Sequence, residues 1–155
     1  MLKEAKTQAK AQVGIEALWR ALAKNLWVII PRVIPNLVKD AEMIEGDGGL
    51  GTVFLFNFGS GVSNSISYQK EKIVELDESL HQIGLKVIEG GHLNLGFASY
   101  KTTFQLTAIG ESETLVGFKV VYETETEETH IPGETSKSAL AFINCLENYL
   151  LNQGL

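Results

Sequence analysis

The segment "SYQKEKI", Ser67 to Ile73, holds the pair of residues best placed to do chemistry. Read as a strand, it puts Ser67, Gln69, Glu71 and Ile73 on one face and Tyr68, Lys70, Lys72 and Val74 on the other, because strand side chains alternate with a period of two. Lysines belong in water, so the lysine-bearing face is assigned to solvent. Gln69 and Glu71 then turn toward the concave, apolar side, where an amide and a carboxylate must find partners or a ligand. If that side is dry, the Glu71 carboxyl should hold its proton more tightly, since desolvation disfavours its charged form. Such a carboxyl could orient a bound molecule or serve as a general acid or base. On composition alone, a solvated Glu71 or one paired with a lysine stays open.

Other candidate chemistries fail on their neighbours. "EGDGGLGT", Glu45 to Thr52, is rich enough in glycine to cradle a phosphate, but that needs a following Lys, a Ser or Thr and a helix N-terminus. Here the glycines run into "VFLFNF", a strand, so the expected role is a compact turn. His81, His92 and His130 are far apart and lack metal-ligand spacing, so no metal is expected. Cys145 stands alone in a helical pattern among apolar neighbours, which excludes an internal disulfide and reads as a small buried thiol. No serine elbow or Cys-His arrangement supports an activated nucleophile.

The elements that must position these residues follow from length and pattern. At 155 residues, 45% hydrophobic and 21% charged, the chain has the size and balance of one domain, taken here as residues 1–155, burying roughly two thirds of its unfolded surface. A net charge of −6 with scattered lysines and arginines argues against a nucleic-acid partner. No apolar run approaches the ~20 residues of a membrane span. A cytoplasmic or nuclear location, as a monomer or weak dimer without cofactor, is therefore the expectation.

Strict alternation of Ala5, Thr7, Ala9, Ala11 and Val13 with Lys6, Gln8, Lys10 and Gln12 predicts an edge strand. Ile15, Leu18, Trp19 and Leu22 fall at helical spacing, and Pro31 and Pro35 forbid one long helix, so two short helices are expected. Six further strands are predicted from "AEMIEG", "TVFLFNF", "ISYQKEKIVEL", "LHQIGLKVIE", "GFASYKTTFQLTA" and "TLVGFKVVYETE". Their short links allow only antiparallel pairing. Tyr100, Thr102, Phe104 and Leu106 share one face, as do Val116, Phe118, Val120 and Tyr122. After Pro132 and Gly133, Ala139, Phe142, Ile143, Leu146, Tyr149 and Leu150 line one side of a helix of about 17 residues, near 25 Å long. Gly154 is its expected stop. The fold class is α+β, a curved seven-stranded antiparallel sheet covered by this C-terminal helix. The small Ala139 on the covering face could leave space for a cavity.

The chain resembles the pathogenesis-related class-10 family of plants, whose best-known member is the major birch pollen allergen. Within it, the cytokinin-specific or phytohormone-binding subgroup is the nearest. The matching stretches are "IEALW", "VIPNLVKD", "IEGDGGLGT", "FNF", "VIEGG", "YKTTFQL" and "ETSKSAL", spread over the whole chain in the family's order. The resemblance implies a helix-grip fold with a large, mostly apolar cavity between sheet and C-terminal helix, holding small amphipathic plant molecules. It also implies that Gln69 and Glu71, standing in "YQKE" where the subgroup has "YQRE", hydrogen-bond the ligand. The subgroup's Thr and Tyr on the long helix are Ala139 and Phe142 here, so two polar handles are absent and a less polar or aromatic guest is favoured. Leu22, Phe56, Leu85, Tyr100, Phe104, Phe142 and Ile143 would supply the apolar contacts.

On this reading the protein is a non-enzymatic carrier or receptor of a cytokinin, a gibberellin or a related metabolite. The rival is an alkaloid-pathway enzyme, like the norcoclaurine synthase the family includes, with Glu71 as its acid or base. A ribonuclease reading finds no acid and base pair near Asp47.

Overall fold

The computed structural model describes residues 2–35, 37–58, 67–94, 96–125 and 131–152, and of residues 92, 94 and 131–139 the backbone alone. In chain order the elements are β1 (Lys3–Ala11), α1 (Ile15–Trp19), a π-helical stretch (Arg20–Lys24), α2 (Leu26–Val33), β2 (Val38–Glu45), β3 (Val53–Phe58), β4 (Tyr68–Asp77), β5 (Gln82–Gly90), a 3-10 turn (Gly91–Asn94), β6 (Phe97–Gly110), β7 (Glu113–Thr124) and α3 (Ile131–Leu151). The strands form one sheet in the order β1-β7-β6-β5-β4-β3-β2, antiparallel throughout. β2 to β7 are a meander, and the alternating N-terminal segment pairs only with β7, at the edge where its period of two places it.

Register shifts bend this sheet. They fall in β2–β3 near Asp40 and Glu45, in β4–β5 near Glu71 and Glu75, and in β6–β7 near Ser99 and Gly110. Each extra residue kinks its strand and increases the local twist. The concave face is apolar: Phe54, Phe56, Ile73, Ile83, Leu85, Val87, Tyr100, Phe104, Val116, Val120 and Tyr122 are all buried. Ile143, Leu146 and Leu150 of α3 join the same core, each burial of this kind stabilising by about 1.5–3 kcal/mol. At the two sheet edges α3 packs against β1 and α2 against β2.

Three details depart from the sequence-based expectation. α3 has 21 residues and begins at Ile131, because Pro132 in a first turn gives up only an amide that lacks a helical partner anyway. The break between the short helices falls at Asn25, with Pro31 inside α2. Cys145 is half-buried, not buried, since it lies beside the apolar stripe of α3. The expected stop, Gly154, lies outside the described residues.

The glycine-rich stretch is a turn. Gly46, Gly48 and Gly51 have φ of 91°, 101° and 90°, the left-handed region that glycine enters without penalty. The fully buried Thr52 accepts at Oγ1 a 2.9 Å hydrogen bond from the Gly48 amide. A side chain on Gly46 would stand 2.6 Å from that same oxygen.

Candidate functional site

β4 carries the central pair. Gln69 lies opposite Phe56, and Glu71 opposite Phe54 on one side and Val87 on the other, so both polar side chains stand on the concave face among apolar neighbours. Gln69 is 93% buried. Glu71 is half-buried, yet burial is the largest cause of a pKa pushed up from the ordinary 4.5 to about 7; a hydrogen bond with Gln69 pulls weakly the other way. Some accessible area remains, but Phe54 and Val87 on the flanking strands strip enough water from the carboxyl to disfavour its charge. The carboxyl is thus poised near neutrality, able to donate as an acid or accept as a carboxylate.

The lysines of the same strand do not offset this charge. Lys70 reaches Glu89 on the convex face at 3.3 Å, and the Tyr68 hydroxyl donates to Glu89 at 2.8 Å. Past Glu71 the alternation breaks. A register shift between Ile73 and Glu75 leaves Val74 exposed and sends Glu75 to the convex side, where it accepts from Lys101 at 3.1 Å and from Gln82. Strict alternation would have pointed Glu75 inward with Glu71; the bulge keeps a second carboxylate out of the apolar face.

Gly91 holds Gln69 in place. Its φ is 52°, and a side chain there would come within 1.9 Å of the Gln69 Oε1 and 2.6 Å of its Cδ. The Gln69 side chain packs against a residue that has no side chain to clash with it. Sequence reasoning passed over this glycine; its signal was the doubled glycine of "VIEGG", which marks a close approach of backbone and side chain.

The other expected contact residues converge. Leu22, Phe56, Leu85, Tyr100, Phe104 and Ile143 are buried in one apolar cluster, with half-buried Phe142 packed on it. The Phe104 ring is 5.3 Å from Phe118, edge to face, and 6.3 Å from Phe142, distances at which aromatic pairs attract. The side chain of Ala139 lies outside the described residues. Between β1, β7 and α3 runs a narrow crevice with no room for a water molecule, touched by Thr7, Ala9, Val116, Phe118, Leu140 and Ile143; the roomy cavity that the family resemblance implies is not open at this point.

A second cluster was not foreseen. The Trp19 indole N–H donates to Glu78 Oε2 at 2.7 Å, Lys24 binds the same carboxylate, and His81 packs edge-on against Trp19 with centroids 5.4 Å apart while its Nε2 meets Glu16 at 3.1 Å. His81 holds a left-handed φ of 51°. These bonds latch the β4–β5 turn onto α1, and hydrogen bonds from Lys24 and then Trp19 hold the Glu78 carboxyl below its ordinary pKa. Among the described residues no group of three or more His, Cys, Asp or Glu side chains could hold a metal ion.

The sheet order, the short helix pair and the long covering helix meet a family profile at this point. Residues 4–153 match the pathogenesis-related protein Bet v 1 family. The chain belongs to that family. Among Bet v 1 relatives, the major strawberry allergen Fra a 1-A of Fragaria ananassa is 32% identical over 139 residues, 86% of this chain and 84% of that protein. Norbelladine synthase of Narcissus pseudonarcissus is 29% identical over 121 residues, 77% and 74% of the two chains. A crystal structure of norcoclaurine synthase from Thalictrum flavum, in complex with dopamine and hydroxybenzaldehyde, superposes with a TM-score of 0.80 at 22% identity, covering 99% of this chain and 88% of that one. That likeness extends to the fold. Among the described residues, no helix of this Bet v 1 family member is long and apolar enough to cross a membrane.

Proposed function

We propose that the protein binds a small amphipathic or aromatic plant molecule between the concave face of the sheet and α3, for storage, transport or signalling. A phytohormone such as a cytokinin or gibberellin, or a related metabolite, is the proposed class. The observation that carries this reading is the Gln69–Glu71 pair: two hydrogen-bonding side chains, one with a pKa raised to about 7 by burial, on an otherwise apolar wall. Such a wall supplies affinity through apolar area, while a few polar groups fix orientation. Phe142, where a tyrosine would offer a hydroxyl, tilts the preference toward less polar guests. The binding partner is a small molecule, not a nucleic acid or a membrane, and the protein acts in cytoplasm or nucleus as a monomer or weak dimer.

Calorimetric titration with zeatin, gibberellin, abscisic acid and aromatic amines tests this. Saturable binding that weakens in Glu71→Gln is expected; no binding tighter than about millimolar to any of them would sink it. A second reading, condensation of two aromatic substrates with Glu71 moving the proton, is favoured by the poise of that carboxyl near neutrality and by the similarity to norbelladine synthase. It predicts that Glu71→Gln loses turnover and keeps binding, whereas a pure binder loses affinity and has no turnover to lose.

A further inference from the structure

The convex face of the sheet carries a groove of about 460 Å³ centred on Gly117 of β7. Its floor is a row of directly paired residues, Gln8–Gly117–Gln105–Gln82 across β1, β7, β6 and β5, and the next row is Lys6–Lys119–Thr103. We propose that this groove is a second binding site, for a small molecule carrying an oxyanion group, a carboxylate, sulfate or phosphate.

Gly117 is the first argument. Glycine within a strand costs roughly 0.5–1 kcal/mol relative to alanine and marks places where a ligand or another backbone approaches closely. At Gly84 the missing side chain has a packing reason, since a Cβ would meet Glu75 at 3.0 Å and Lys101 at 3.1 Å. Gly117 has no such reason: a Cβ there would meet only the Gln105 carbonyl oxygen, at an ordinary 3.5 Å, and its φ is not positive. The absent side chain therefore serves the space above it, which Gln8 and Gln105 border with amide groups.

The charges are the second argument. Lys6 and Lys119 stand directly opposite each other, an arrangement that destabilises a sheet. An acid on its own strand relieves Lys6, but among the described residues Lys119 has none within reach. Lys6 pairs with Glu4 at 3.1 Å, while Glu75, whose carboxyl feels the Lys119 charge at a distance, is hydrogen-bonded to Gln82 and Lys101 instead. Among the described residues no carboxylate lies within ion-pair distance of Lys119, which is half-buried at the groove wall. Lys119 lines the groove together with Gln8, Gln105 and the buried Thr103, a set of cation, amides and hydroxyl suited to oxygen anions. The volume exceeds what a bare anion needs and lies within the range of small-molecule sites.

The test is a two-dimensional amide NMR titration of the full chain, with inorganic phosphate, phenyl phosphate and benzoate as separate arms. The proposal expects saturable shifts at Gly117, Thr103 and the side-chain amides of Gln8 and Gln105, with dissociation constants on the order of millimolar. One arm binding above the others names the anion class. Lys119→Gln should weaken the best arm about tenfold, the size of one charge-assisted hydrogen bond, and Gly117→Val should abolish it by filling the floor. Lys72→Gln, elsewhere on the convex face, should leave the anion titration unchanged. Shifts spread over all lysines, no saturation, or equal binding by Lys119→Gln would overturn the site. Gly117→Ala gives the same reading with a smaller side chain should the valine variant fold poorly.

Discussion

At the scale of single residues, Glu71 sets the behaviour of the concave face. Its pKa rises from 4.5 to about 7 on folding, so the folded state binds the extra proton between those values and the unfolded state does not. Stability from this group is full below pH 4.5, is lost as pH rises through 7, and is level above it. The loss is at most about 3 kcal/mol, or roughly 6–12 °C in melting temperature. Glu71→Gln, which cannot ionise, should therefore melt with a flatter pH profile than the natural protein from pH 5 to 8, and at pH 8 should be the more stable of the two. Parallel profiles by calorimetry would show that the carboxyl is solvated after all. Phe142 makes a second case. Adding a hydroxyl with Phe142→Tyr should tighten binding of a polar hormone such as zeatin about fivefold, the value of one neutral hydrogen bond, while leaving an apolar guest unaffected. A fluorescence titration of the two ligands side by side separates these outcomes.

At the scale of elements, the glycines and turns determine whether those residues are presented at all. Gly91 makes room for Gln69, so Gly91→Ala forces a side chain onto a left-handed backbone and into the Gln69 amide, at about 1–3 kcal/mol. Combined with Gln69→Ala the loss should be less than the sum, by roughly 0.5 kcal/mol or more; additive urea midpoints would separate the two residues. Trp19→Phe removes one bond from the latch between α1 and the β4–β5 turn and should cost about 1 kcal/mol, seen as earlier thermal unfolding. These elements also mark the limit of what the sequence revealed. Alternation was enough to place β1 at the edge, to put Tyr100, Phe104, Phe118 and Tyr122 inside, and to aim Gln69 and Glu71 inward, because a period of two survives wherever one face is buried. It could not show the bulge that turns Glu75 outward, since an inserted residue leaves composition unchanged. Nor could it show the latch of Trp19 and His81, whose partners are distant in the chain, or the start of α3 ahead of Pro132, where a proline usually reads as a stop. The ammonium of Lys119 beside Gly117 was hidden for a different reason: a lysine on a solvent face looks ordinary until the row beside it is known.

At the scale of the whole molecule, the curved sheet separates two environments that a ligand would sense differently. The concave face offers apolar area and one weakly acidic group; the convex face offers amides and cations in water, on a protein whose net charge is −6. A guest between sheet and α3 stabilises the folded state by RT ln(1 + [L]/Kd), about 2.7 kcal/mol at a hundredfold excess over Kd, which for a chain of this size raises the melting temperature by roughly 5–11 °C. Because it buries apolar surface, its binding should grow more exothermic with temperature, the mark of a negative heat-capacity change, and should hardly respond to salt. An oxyanion in the Gly117 groove should do the reverse, losing affinity as ionic strength rises from 0.01 to 0.15 M and the screening length falls from about 30 Å to about 8 Å, with little change in heat capacity. Titrating one aromatic ligand and phenyl phosphate at two salt concentrations and three temperatures therefore distinguishes the faces without a mutation. If the aromatic ligand proves salt-dependent and thermally neutral, it is not entering the apolar side, and the role assigned to Gln69 and Glu71 falls with it.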